Sequence, residues 1–251
     1  MVLIEKVQAY MAQQPWMFRG WMVVACAVLM RALSSGTRMS FGIALVPVST
    51  QFGWTRTALS TIALTTGIIT SLMELGMGVL VDRFGPRCLL GGGVALLGLG
   101  VWLLTVYATV WQFGLAYGVL GGVGLAATGQ VVGSTLVANW FARHRGLAQS
   151  MVGSAAAVGW MLVVPINMFL EQAYGWTTMY RTTGTVLLIG ILPLVWAYIR
   201  DHPEDVGLRP YGAGPPGGPL ATTTGHTTAG VSLRQALHQP RTWQIVYLGF
   251  A

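Results

Sequence analysis

Six stretches of this chain stay apolar for about 20 residues or longer, the length a helix needs to cross a hydrocarbon core about 30 Å thick. They lie near residues 20–46, 58–81, 89–106, 113–137, 147–170 and 181–199, and each is closed by a short polar or Gly/Pro-containing break. A seventh apolar run opens at Trp243 and continues to Ala251, too few residues for a crossing. The pattern predicts an all-α multi-pass membrane protein. Its parts are an N-terminal segment 1–19, a six-helix transmembrane domain 20–200, a linker 201–240 and the start of a seventh, truncated helix at 241–251. Segment 1–19 has no small-residue cleavage site after a short apolar core and reads as an interfacial lead-in.

Composition agrees. Of 251 residues, 54% are hydrophobic and 8% are charged, whereas a soluble domain carries about 25% charged residues. A soluble enzyme, a disordered protein and a free nucleic-acid binder are thereby excluded. The balance of 14 Lys and Arg against 7 Asp and Glu gives +7, and its placement explains it. With the N-terminus inside, ten cations face the cytoplasm: Lys6, Arg19, Arg83, Arg87, Arg143, Arg145, Arg200, Arg209, Arg234 and Arg241. Arg56 and Arg181 lie at the other face, and Arg31 and Arg38 within the first span. This distribution follows the positive-inside rule, so the N-terminus and linker 201–240 are expected in the cytoplasm and no nucleic-acid partner is needed. Trp16, Trp21, Trp54, Tyr107, Trp111, Trp140, Tyr174 and Trp176 are expected in the aromatic belts.

The linker is rich in Gly, Pro and Thr, a composition too poor in apolar side chains to order itself. Ser232 is a candidate N-cap for a short helix on the membrane surface. Two cysteines and four histidines offer no disulfide framework or metal cluster. Cys26 and Cys88 read as packing residues. No enzyme, cofactor or metal site is expected.

Between spans two and three runs Gly78-Val79-Leu80-Val81-Asp82-Arg83-Phe84-Gly85-Pro86-Arg87. Gly85 followed by Pro86 is a helix stop. Asp82 stands at a helix C-terminus, where the macrodipole disfavours an anion, and Arg83, Arg87, Arg143 and Arg145 are the cations expected to compensate it. The stretch resembles the signature loop of the major facilitator superfamily, G-x-L-x-D-R-x-G-x-R, at Gly78, Leu80, Asp82, Arg83, Gly85 and Arg87. The segments around Gly36 to Gly42, Phe52 to Ser60, Trp140 to Ala148 and Arg200 to Leu208 resemble its monocarboxylate transporter and oxalate/formate antiporter branch.

The resemblance implies the N-terminal half of a twelve-helix transporter, a 3+3 inverted repeat that works by alternating access. It further implies small organic anions as substrates, a proton or counter-anion as co-substrate, and a missing C-terminal six-helix half as partner within the cell membrane. The signature loop would be a latch on the cytoplasmic gate. The alternative is an incomplete half-transporter without independent transport activity. Proton-coupled members often carry an arginine in span four; the corresponding position here is Gly118.

Three ionisable residues fall inside spans, and each costs at least about 2.5 kcal/mol to insert, which marks them as functional candidates. Arg31 and Arg38, seven residues apart, share one helix face. At 1.5 Å per residue Arg31 lies about 16 Å from Gly20, Arg38 about 27 Å, and Glu74 about 12 Å from Asp82. Glu74 is therefore expected to pair with Arg31 as part of a gate, leaving Arg38 for the substrate carboxylate. The family's cavity, lined by spans one and four, adds Tyr117 and Thr128 as candidate lining groups. The glycines between Gly118 and Gly124 read as helix contacts, and Asn167 and Trp160 as one face at the outer vestibule.

Overall fold

A computed structural model describes residues 15–107 and 109–206. The six expected crossings are present as Arg19–Phe52, Arg56–Phe84, Pro86–Leu103, Val110–Trp140, Arg145–Tyr174 and Trp176–Tyr198, called here spans one to six. The chain is thus a multi-pass membrane protein. Segment 1–14, most of linker 201–240 with Ser232, and the run at 241–251 lie outside the described residues.

The breaks follow the local chemistry. Span two begins where the Thr55 hydroxyl accepts from the Ala58 N–H at 3.3 Å, an N-cap that satisfies one of the helix's orphan donors. It ends at Gly85, whose φ of +78° with ψ 154° is a combination essentially reserved for glycine, and Pro86 starts span three where its missing N–H costs nothing. Gly175, at φ +84°, makes the same turn between spans five and six.

Span three runs through the middle of the bundle: Leu90, Val94, Leu97 and Val101 have no exposed surface, with spans four and six packed against it. Span one lies along span five. A Cβ at Gly159 would overlap the Ala32 carbonyl, and one at Gly36 would overlap the Val163 side chain and stand 2.8 Å from the Gly159 carbonyl. Small residues let these backbones touch, which is how helices gain contact energy in lipid. Asn167 joins the same seam. It donates to the Ser40 hydroxyl at 2.8 Å and accepts from the Thr183 hydroxyl at 3.1 Å, so one amide links spans one, five and six.

Several sequence expectations change at this level. Asn167 is buried and Trp160 exposed, so the two do not share a vestibule face. Cys88 is exposed rather than packed. Trp140 and Trp176 are buried and donate to the Arg200 carbonyl at 2.9 Å and the Gln51 side chain at 2.6 Å, so they are anchors in the fold. Trp111 and Tyr174 stay exposed, as belt residues do. The expected helix contacts of the span-four glycines are present: Gly122 lies against Ile69 and Thr66, Gly124 against Gly93 and Leu97.

Candidate functional site

Span four is the irregular one. It runs as Val110–Phe113, a π-helical stretch Gly114–Gly121, then Gly122–Ala127, and resumes at Gln130–Trp140. Thr128 closes the first part with its N–H and its hydroxyl both on the Gly124 carbonyl at 3.0 Å. Gly129 then extends at ψ 178° to start the second part. Non-helical backbone at membrane depth survives only where protein groups satisfy it, and here two charged side chains from neighbouring spans come to the break. Arg31 of span one donates to the Thr128 carbonyl at 3.1 Å. Glu74 of span two brings its Oε1 to 3.1 Å from where a Gly129 Cβ would stand.

Helix dipoles account for that arrangement. The upper part of span four ends at Thr128 and presents its negative pole to the Arg31 guanidinium. The lower part starts after Gly129 with no side-chain cap, and its positive pole lies beside the Glu74 carboxylate. Each placement is favourable, by up to about 2 kcal/mol for half-buried Arg31 and by less than about 1 kcal/mol for exposed Glu74. Arg31 and Glu74 therefore do not form the direct ion pair expected from their depths.

Arg38 is exposed on this half, seven residues along from half-buried Arg31. Tyr117 lies behind it, stacked on Phe41 at 4.4 Å between ring centroids and donating to the Arg38 carbonyl at 3.4 Å. Tyr117 and Thr128 are both buried. Neither presents its hydroxyl to an open cavity, in contrast with the lining role expected of them. Tyr117 supports the backbone that carries Arg38, and Thr128 supplies the carbonyl that holds Arg31.

The signature loop is divided in two. Asp82 and Arg83 are exposed, with Arg83 lying 5.4 Å from the Phe84 ring centroid, and Gly78 ends on an open face where a Cβ would meet nothing within 4 Å. Arg87 turns inward. Its guanidinium donates to the Trp196 carbonyl at 2.8 Å and lies 5.0 Å from that indole's centroid. Its backbone N–H donates to Asp201 at 2.7 Å, and the Asp201 carboxylate lies 2.8 Å from where a Gly85 Cβ would be. Asn139 and Trp140 hold the Asp201 and Arg200 carbonyls. Arg87 and Asp201 thus tie the end of span six to the start of span three, whereas Asp82 makes no ion pair with a described residue. Arg143 and Arg145 are exposed; Arg145 lines an open cavity of about 510 Å³ with Ser134, Thr135 and Gln149. No cluster of metal-ligating side chains occurs among the described residues.

Sequence reasoning did not anticipate Asp201 as the cap of span three, nor Asn167 as a three-span link. The Arg200-Asp201-His202-Pro203 string stood out as a motif, but its partner lies 114 residues away.

A profile of the Major Facilitator Superfamily matches residues 27–251. The chain belongs to that superfamily. Superfamily members are transporters, and the chain is accordingly not an enzyme. It is 27% identical to an uncharacterised MFS-type transporter, YcxA, of Bacillus subtilis over 73% of its length, and 25% identical to the oxalate:formate antiporter of Oxalobacter formigenes over 75%. It is 30% identical to monocarboxylate transporter 13 of Bos taurus over 74%. These matches cover 45%, 44% and 42% of the relatives, so the chain spans less than half the length of each.

Proposed function

We propose that this chain forms one half of a secondary transporter of small organic anions, carboxylates above all, that works by alternating access. The observation that carries the reading is the cationic stripe of span one: Arg38 exposed and Arg31 fixed at the break, on one helix face inside a membrane. Two guanidinium groups at that depth are costly unless a cavity and an anion face them. Planar carboxylates suit guanidinium forks through two parallel hydrogen bonds. Two relatives, an oxalate:formate antiporter and a monocarboxylate transporter, point to the same class.

In this reading Arg38 anchors the substrate carboxylate, with Tyr117 and Thr128 as positioning residues behind the two arginines. The Asp82 and Arg83 end is cytoplasmic, as the charge distribution indicates. Gly78, Asp82, Arg83, Arg143 and Arg145 face a second six-helix half and latch the gate to it. Gly85 and Arg87 brace that latch from within this half, and a proton or counter-anion accompanies the substrate.

The test is uptake of a radiolabelled carboxylate panel, including formate, oxalate and lactate, by the complete protein in proteoliposomes. Saturable uptake is expected, together with at least a tenfold loss in Arg38→Ala and partial recovery in Arg38→Lys. Unchanged KM and rate in both variants would remove Arg38 from the site, and no saturable uptake of any carboxylate would overturn the substrate class.

A further inference from the structure

The lower part of span four and the start of span five frame the open cavity of about 510 Å³ lined by Ser134, Thr135, Ala138, Arg145, Gly146 and Gln149. Its charge is one-sided. Arg145 supplies a guanidinium, and the sequence holds no Asp or Glu anywhere between Arg83 and Leu170 to neutralise it. Arg145 also stands in the first turn of span five, where the helix dipole disfavours a cation. An anion in the cavity would offset that cost and engage the donors of the guanidinium fork.

The cavity continues as a polar line toward the break in span four. Gln130, Ser134 and Ala138 follow one another at four-residue spacing on span four with Thr135 beside them, and Gly146, Gln149 and Gly153 form a matching line on span five. None of these residues is buried. The two lines meet farther into the membrane, where the Gln130 amide nitrogen lies 3.8 Å from where a Gly153 Cβ would stand. Ala138 is about 12 Å along the helix from Gln130, which adjoins Gly129 at the break. Small and polar side chains in line on two neighbouring spans suit a water-filled path and not lipid.

We propose that this cavity is a second anion subsite, in which a substrate carboxylate rests against Arg145 on its way between the break in span four and the side read above as cytoplasmic. The inference rests on the carboxylate reading given under the proposed function, and Arg38 and Arg145 hold the anion at successive points of one path. Gln149 offers its amide N–H as a further donor. The Ser134 and Thr135 hydroxyls donate to the Val131 carbonyl at 2.7 and 3.1 Å, so their oxygens remain as acceptors and hold water beside the anion. Latch and subsite alternate: with the gate closed Arg145 meets the second half, and with the gate open the cavity beside it admits the anion. An exposed guanidinium pairs weakly in water, which suits a point of transit because tight binding there would slow release.

Thiol labelling of the complete protein reads the cavity directly, with formate as the probe anion. Thr135→Cys, in a background freed of Cys26 and Cys88, is treated in proteoliposomes with methanethiosulfonates carrying either a sulfonate or a trimethylammonium group. The sulfonate reagent is expected to react at least fivefold faster, each rate being taken relative to a free thiol, and Arg145→Gln is expected to abolish that preference. Formate is expected to slow labelling at least threefold, to do so equally with Arg38→Ala, and to have no effect with Arg145→Gln. Labelling indifferent to formate, or protection that survives Arg145→Gln, would overturn the subsite. So would protection that disappears with Arg38→Ala, since the cavity would then be closing through binding elsewhere. Slower labelling in phosphatidylglycerol than in phosphatidylcholine vesicles without formate would give the guanidinium to a lipid headgroup, again against the proposal. If Thr135→Cys is not recovered from the membrane, Ser134→Cys is read in the same way. The parent reading fails separately, through absence of saturable carboxylate uptake in wild type.

Discussion

The Arg31 guanidinium donates to the Thr128 carbonyl, 97 residues away in sequence and 3.1 Å away in space, at the one point where span four leaves its helical ladder. A charged side chain is thereby fixed by the backbone irregularity it stabilises. Hydrogen bonds to charged groups contribute roughly 1.5–3 kcal/mol. Arg31→Met, which keeps bulk and removes the charge, is expected to lower the thermal stability of the detergent-solubilised protein by that order and to reduce transport at least tenfold. Arg31→Lys, which restores the charge without the fork, is expected to recover stability better than transport. Scanning fluorimetry beside uptake reads both, and a fully active Arg31→Met would show that the break does not depend on it.

The contact of spans one and five leaves no room for a methyl group at Gly159, because the Ala32 carbonyl occupies the place of a Cβ. Overpacking typically costs 1–3 kcal/mol, and a backbone obstacle cannot rotate aside. Gly159→Ala is expected to fall at the upper end of that range. Gly67→Ala, at a site with nothing within 4 Å, serves as the control and is expected to leave the melting temperature unchanged or raise it slightly. Equal melting temperatures for the two variants would refute the close-packed seam.

Asn167 fills both roles of its amide, donating to Ser40 and accepting from Thr183. Replacing it by Leu strands two hydroxyls among apolar side chains, at about 1–3 kcal/mol for a buried unsatisfied group, although each hydroxyl retains a carbonyl of its own helix. The smaller end of the range is therefore expected. A Ser40→Ala/Asn167→Leu double variant should lose less than the sum of the singles, as residues sharing a hydrogen bond do, and additive losses in chemical denaturation would contradict the link.

At the other end, Asp201 accepts from the Arg87 N–H in the first turn of span three. The bond has the energetics of an N-cap, about 1 kcal/mol on replacement by Ala. Asp201→Asn retains the acceptor and is expected to cost a few tenths of that, and Asp201→Ala is expected to increase trypsin cleavage beyond span six. Identical cleavage rates would mean that Asn139 and Trp140 hold the segment without it.

The residue pattern alone determined the six crossings, the superfamily loop at Gly78 to Arg87 and the cationic face of Arg31 and Arg38. Each rests on local periodicity or on fixed spacing along one helix, which survive without knowledge of neighbours. Tertiary structure decided what those residues touch. Periodicity gave no sign that span four breaks at Thr128, because a Thr-Gly pair in an apolar run is compatible with a continuous helix; the break is stabilised by Arg31 and Glu74, which arrive from two other spans. The same holds for Arg87, which belongs to the signature loop by spacing but turns to Trp196 and Asp201 because span six ends beside it. Helix positions are set by which side chains lipid accepts, a one-dimensional property, whereas the partner of a buried charge depends on how helices are placed around one another.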